Sequence, residues 1–115
     1  MQADRSAGPV YIIETVVVRP HDCAAMLALI GETIVPLMTG LGLEFRSCLA
    51  GSEQMGEDVP VQTTWRVDSH AAWRNVRDKL FYNAEWREAY AEVARLRIGG
   101  TRRFLYETGI EGPAR

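Results

Sequence analysis

The sequence has few of the residues that metal centres, disulfide frameworks and cofactor sites use. Its two cysteines, Cys23 and Cys48, lie in different predicted elements without CxxC spacing, which argues against a zinc cluster or a disulfide framework. Its two histidines, His21 and His70, form no HxxxH or HxH arrangement, and we interpret them as surface or helix-capping residues. No GxGxxG, GxxxxGK or GxSxG motif occurs. We therefore predict no metal site and no cofactor.

The chain also lacks a strong charge of either sign and a long apolar run. A net charge of -2 gives no reason to bind a polyanion. No uninterrupted run of about 18 apolar residues and no signal-peptide pattern occurs. The arginines of the second half alternate with acidic residues as on a solvated helix face: Arg74, Arg77, Arg87, Arg95 and Arg97. We predict no nucleic-acid partner, no membrane contact, and a cytoplasmic protein with reduced thiols.

Residues 59–80 change hydrophobic period once, from that of a strand to that of a helix. Up to Val67 the apolar residues alternate with polar ones, which predicts a strand over 61–67. From Ser69 onward Trp73, Val76 and Leu80 share one helical face, and the Ser69 hydroxyl is placed as an N-cap. A strand followed by a helix requires a sheet on which the helix can pack.

The rest of the chain supplies the other elements of that sheet. Strands are predicted at 9–19, 43–51 and 101–107, and helices at 22–39 and 85–96, the latter capped by Asn83 and closed by the glycine pair 99–100. Pro36 predicts a kink or an irregular last turn in the first helix. Alternation in the second strand predicts one shared face for Leu43, Phe45, Ser47 and Leu49 and a position near a sheet edge.

The order β-α-β-β-α-(α)-β predicts an α+β fold, a ferredoxin-like four-stranded antiparallel sheet with helices on one face. We expect a single domain over residues 9–107 with flexible ends at 1–8 and 108–115. Because the strands carry apolar residues on both faces, the second face needs a cover, and the same face of another copy would provide it. A homodimer is the physical expectation.

Several segments resemble the NIPSNAP family within the dimeric α/β-barrel superfamily: TTWRVDS at 63–69 with Trp73 and Arg77 after it, NAEW at 83–86, and GGTRRFLY at 99–106. The likeness spans roughly residues 9–107. It implies that the sheets of two subunits face each other and form a dimeric α/β barrel with a pocket in each subunit. Relatives in the superfamily include cofactor-free monooxygenases, polyketide cyclases, haem-degrading enzymes, dehalogenases and isomerases.

Two positions depart from the pattern of those relatives. Many relatives carry a basic residue in the first strand, where this chain has Glu14, and some carry histidine in the third strand, where it has Thr63. A site built on those positions therefore cannot be transferred. Haem degradation is not predicted either, because no histidine stands in a matching iron-ligating context.

Glu14 is the candidate catalytic residue, because it interrupts an otherwise apolar strand. A carboxylate there must be paired, protonated or turned to solvent. In an apolar pocket it would be a general acid or base. The alternative is a structural ion pair with Arg102 or Arg103 of the neighbouring strand.

The candidate substrate-binding residues are Thr63, Trp65, Phe104 and Tyr82. Trp65 and Phe104 would line the same pocket as Glu14 and suit a flat, mostly apolar ligand, or else serve as ordinary sheet core. Tyr82 lies at the break between two helices, where it would gate or bind, or else form a simple turn.

These observations predict a small homodimeric barrel protein that binds an apolar carbonyl-bearing or aromatic small molecule. As an enzyme it would be a cofactor-free cyclase, isomerase or monooxygenase of bacterial secondary or catabolic metabolism, with Glu14 handling the proton. The alternative is a non-catalytic ligand-binding or interaction protein on the same scaffold. A third possibility, assembly through an exposed sheet edge, would require an oligomer higher than a dimer.

Overall fold

Four antiparallel strands form one sheet in the computed structural model, which describes residues 5–113. The strands are β1 (Val10–Val18), β2 (Glu44–Ala50), β3 (Val59–Val67) and β4 (Arg97–Tyr106), in the spatial order β2-β3-β1-β4. With helices between β1 and β2 and between β3 and β4, this is the ferredoxin-like α+β fold, as predicted. Of the predicted flexible ends, residues 1–4 and 114–115 lie outside the described residues, and a short 3-10 turn occupies Arg5–Ala7.

The first helix, α1 (Pro20–Leu41), packs one apolar side on the sheet. Among the described residues it is the one helix whose length and composition would also allow it to cross a membrane. Of its most apolar 18-residue window, 22% is buried in the fold. Small side chains such as Ala24, Ala25 and Ala28 face outward. Its buried side chains are those of Cys23, Met26, Ile30, Ile34 and Met38.

The irregularity predicted from Pro36 lies in the middle of α1 and not in its last turn. Residues Ile30–Ile34 form a wide π turn, in which the Val35 N–H donates to the Ile30 carbonyl. Proline has no N–H and its ring crowds the carbonyl four residues earlier, so a widened turn just before Pro36 relieves that clash. The last turn is regular, and Gly42, at φ 115°, lets Leu43 N–H donate to the Met38 carbonyl at 3.0 Å.

Both remaining helices begin at the residues predicted to cap them. In front of α2 (His70–Phe81), Ser69 Oγ accepts from the Ala72 N–H at 3.1 Å. In front of α3 (Ala84–Leu96), Asn83 Oδ1 accepts from the Trp86 N–H at 2.8 Å. Each cap satisfies a backbone donor that the first helical turn leaves without a partner.

Two predicted details of the sheet are wrong. The register of β2 against β3 shifts between Phe45 and Ser47, so Phe45 and Cys48 face the helices while Leu49 faces outward. Such a bulge inserts one residue and reverses the alternation that follows it. β4 begins at Arg97, four residues earlier than predicted, so the glycine pair lies inside the strand and α3 ends at Leu96 without it. The predicted edge position of β2 is confirmed.

The two faces of the sheet differ in burial. The face toward the helices is core, and its fully buried side chains include Val10, Ile12, Val18, Val59, Val61 and Trp65. On the opposite face Tyr11, Ile13 and Val17 are half-buried, and Leu49 and Leu105 are 64% and 51% exposed. No helix of the described chain covers this outer face.

Candidate functional site

A cavity of about 270 Å³ lies between the helix-facing side of the sheet and the helices α1 and α3. Its position follows from the alternation along the strands, which points every second side chain of β1, β3 and β4 toward the helices. Its apolar lining includes the aliphatic side chains of Val16, Met26, Ile30, Ile34, Met38, Val61 and Val93. A concave, largely apolar space with a few polar groups is the usual form of a small-molecule site.

Glu14 lies in this cavity, at the centre of β1. It is paired in register with Thr63 of β3 on one side and with Arg102 of β4 on the other. Its Oε1 lies 3.5 Å from Arg102 Nε, and its side chain is 25% exposed. The carboxylate is therefore ion-paired, as the structural alternative predicted, and it also borders a cavity, while its role as an acid or base stays a prediction.

Thr63 and Trp65 line the same cavity from β3. The Trp65 Nε1–H donates to Thr63 Oγ1 at 3.0 Å, and Phe45 packs edge-on against the Trp65 ring with centroids 5.2 Å apart. Trp65 is 1% exposed and Thr63 is 8% exposed. Because the Thr63 oxygen accepts this bond, its own hydrogen remains available to an acceptor in the cavity.

The structure does not bring Phe104 and Tyr82 to the cavity. Phe104 is paired with Ile12, which precedes Glu14 by two residues in β1, and it packs against Trp73 with ring centroids 5.6 Å apart. Tyr82 is 80% exposed and packs edge-on against Phe81 with ring centroids 5.0 Å apart. Phe104 shares the helix-facing side with Glu14 but lies at a different level of the strand, whereas Tyr82 belongs to the turn between α2 and α3.

The cavity lining also includes Trp86, Tyr90 and Arg97, which the sequence did not single out as site residues. Trp86 and Tyr90 are not among the predicted site residues, and Arg97 is predicted to belong to a solvated helix face. Arg97 is instead the first residue of β4, and its Nη2 donates to the Tyr90 hydroxyl at 3.2 Å. The helical spacing of Trp86 and Tyr90 was the available signal, since it puts both rings on one side of α3.

The thiols and imidazoles lie outside the cavity lining. Burial raises the pKa of the Cys23 thiol, with the neighbouring Glu53 carboxylate as a further cause, and burial also raises the pKa of Cys48. Both therefore stay protonated and are poor nucleophiles. His70 bonds to the Tyr106 hydroxyl and His21 is exposed. In residues 5–113 no group of three or more His, Cys, Asp or Glu side chains could hold a metal ion.

The chain shares its fold with solved structures of NIPSNAP proteins. A NIPSNAP family protein from Agrobacterium tumefaciens is 15% identical, with 96% of this chain and 95% of that chain covered at a TM-score of 0.75. A NIPSNAP domain protein from Burkholderia xenovorans is 13% identical, with 90% and 99% covered at a TM-score of 0.73. No family model matches the sequence, and no curated protein matches it.

A second kind of neighbour is an enzyme. A variant of SnoaB, a cofactor-independent oxygenase from Streptomyces nogalater, is 12% identical, with 90% of this chain and 97% of that chain covered at a TM-score of 0.59. The resemblance inferred from the sequence is thus confirmed at the level of the fold: the chain is a ferredoxin-like α+β protein of the kind found in NIPSNAP proteins and SnoaB. A common fold does not fix a common reaction.

Proposed function

We propose that this protein binds a small, mostly apolar molecule carrying a carbonyl group or an aromatic ring in the cavity between the sheet and the helices. The observation that carries the proposal is the cavity itself, whose aliphatic and aromatic walls surround a charged pair, Glu14 and Arg102. Apolar walls supply affinity through burial, and a few fixed polar groups orient the ligand.

The same groups suit a reaction that needs positioning and one proton acceptor. The Glu14 carboxylate, held beside a guanidinium, would accept a proton from the ligand, and the free hydrogen of Thr63 would bond to a ligand carbonyl. Cyclisation, isomerisation and oxygenation of an activated substrate are of this kind. The fold shared with SnoaB, a cofactor-independent oxygenase, supports this proposal.

Native mass spectrometry of freshly purified protein is the first test. A retained small molecule would appear as added mass and could then be identified and offered back as substrate. With that substrate, Glu14→Gln should lower kcat by about 100-fold or more, the usual range for loss of a general base. Glu44→Gln, a carboxylate on the edge strand that pairs with Arg46, is the matched control and should leave kcat unchanged. Unchanged turnover in Glu14→Gln would refute the catalytic role.

A non-catalytic binding protein is the second candidate, because Glu14 has an ion-pair partner in Arg102. Recovery of the bound molecule unchanged after long incubation, with and without air, would favour this candidate. A product of altered mass would favour the enzyme.

We further propose that the working unit is a homodimer in which the outer sheet faces of two copies meet. The accessible surface of 7723 Å² exceeds the value of about 6,300 Å² typical of a monomer of this mass. The uncovered sheet face and the segment 107–113, which forms no helix or strand, both add to this surface. The free thiols Cys23 and Cys48 are compatible with the cytoplasm, where we place the protein in bacterial secondary or catabolic metabolism.

A further inference from the structure

The charges in the cavity wall do not cancel. Its charged residues are Glu14, Arg97 and Arg102, which leaves one positive charge in excess. Arg97 is half-buried and the Arg102 side chain is 39% exposed, so in this partly open, mostly apolar space their charges are screened somewhat less than those of fully exposed arginines. A neutral ligand would displace the water that hydrates the excess positive charge and would not replace the lost hydration.

Arg97 carries the excess charge. Whereas Arg102 pairs with Glu14, Arg97 forms no ion pair with any carboxylate of residues 5–113. Its guanidinium lies over the Tyr90 ring, 5.5 Å from the centroid, and Nη2 donates to the Tyr90 hydroxyl. The contact with the Tyr90 ring and this hydrogen bond hold the guanidinium beside Tyr90, and most of its five N–H donors remain free for an anion.

Gly100 keeps this arginine close to the sheet. A Cβ at Gly100 would lie 3.4 Å from Arg97 Nη1, so the absent side chain leaves the guanidinium room to lie across the strand. Arg102 follows on the same face of β4, two residues beyond Gly100. The positive groups therefore form one polar wall, opposite the aliphatic side chains of α1.

Resting on the proposed function, we infer that the ligand is a small monocarboxylic acid with a flat or aliphatic apolar body. Its carboxylate is held by Arg97, with Arg102 beside it, because a planar guanidinium matches the two oxygens of a carboxylate. Its body lies against Trp65, Trp86 and the aliphatic wall. The cavity of about 270 Å³ lies just below the range of about 300–1,000 Å³ found for drug-sized ligands, so the acid is no larger than one or two rings.

Matched pairs of acid and amide test the inference, because the members of each pair share a shape and differ in charge. Benzoate against benzamide and 2-naphthoate against 2-naphthamide are titrated into the wild-type protein by calorimetry. We expect the acid of at least one pair to bind about tenfold or more tightly than its amide, the range for a charge-assisted hydrogen bond. Arg97→Gln should abolish the preference, and Arg87→Gln, an exposed arginine of α3, should keep it.

Arg97→Lys separates charge from folding. It retains the positive charge and should retain part of the preference for the acid, with circular dichroism reporting that each variant is folded. Equal binding of acid and amide to the wild type, or a preference that survives in Arg97→Gln, would overturn the inference and leave the proposed binding cavity standing. If no probe binds the folded wild type even at millimolar concentration, the proposed function fails, and this inference fails with it.

Discussion

At the scale of single residues, the hydrogen bond between Trp65 and Thr63 joins the core to the cavity. Trp65 is 1% exposed, so water cannot replace the partner of its indole N–H. Thr63 provides that partner from two residues away on the same face of β3, at 3.0 Å. The threonine therefore has a structural role in addition to the predicted contact with substrate, and the two roles can be separated by measurement.

Thr63→Val should lower the free energy of unfolding by about 1–3 kcal/mol, because it leaves a buried N–H without an acceptor while keeping the volume of the side chain. Urea unfolding followed by Trp fluorescence measures the change. Thr63→Ser retains the acceptor and should lose less stability than Thr63→Val. Thr64→Val changes the neighbouring residue on the outer face, and its free energy of unfolding should stay within about 0.5 kcal/mol of the wild-type value. If Thr63→Val were as stable as the wild type, the bond would contribute nothing.

At the scale of elements, the start of β4 shapes the cavity. α3 ends at Leu96 and β4 follows directly at Arg97, with a register shift against β1 between Val17 and Val18. Gly100 then passes close to β1, where a Cβ would lie 3.0 Å from the Thr15 carbonyl oxygen. The neighbouring Gly99 has open space on its own side of the strand. The two glycines of one pair therefore have different roles.

Gly100→Ala should lower the free energy of unfolding by about 1–3 kcal/mol, because the new methyl group crowds backbone that cannot move alone. It should also weaken ligand binding by displacing Arg97. Gly99→Ala is the matched control and should be neutral, or stabilising by up to about 1 kcal/mol, because it restricts the unfolded chain. Thermal unfolding of both variants measures the difference. If both variants lost the same stability, the close approach of Gly100 to β1 would not be the cause of the loss.

At the scale of the whole molecule, nothing within residues 5–113 covers the outer face of the sheet. Ile13 lies at its centre, between Thr64 of β3 and Arg103 of β4. Around it Tyr11, Val17, Leu49 and Leu105 add apolar surface that the chain itself leaves partly exposed. A partly exposed apolar sheet face on a small domain is the kind of surface that a second copy covers.

Ile13→Lys should convert the proposed dimer into a monomer, because it buries a charge beside Arg103 and against the partner's sheet. Sedimentation velocity at micromolar concentration measures the mass, expected at twice the 12.9 kDa of one chain for the wild type and at one chain for the variant. Ala28→Lys, on the exposed side of α1, should remain dimeric. A wild-type monomer under these conditions would refute the shared barrel.

The sequence by itself determined the elements and their order. The helix periods, the caps at Ser69 and Asn83 and the edge position of β2 depend on residues close together in the chain, and the structure has them as predicted. The fold class follows, since this order of elements leaves few ways to pair four strands. Glu14 was recognisable for the same local reason: a carboxylate interrupts an apolar strand.

Only the tertiary structure decided which side chains meet. The sequence left the partner of Glu14 open between Arg102 and Arg103, and the pairing of β1 with β4 selects Arg102. The bulge after Phe45 turned Cys48 toward the helices, and the early start of β4 brought Arg97 into the cavity. The physical reason is the twofold period of a strand: one residue of register moves a side chain to the opposite face, and register depends on contacts between distant segments.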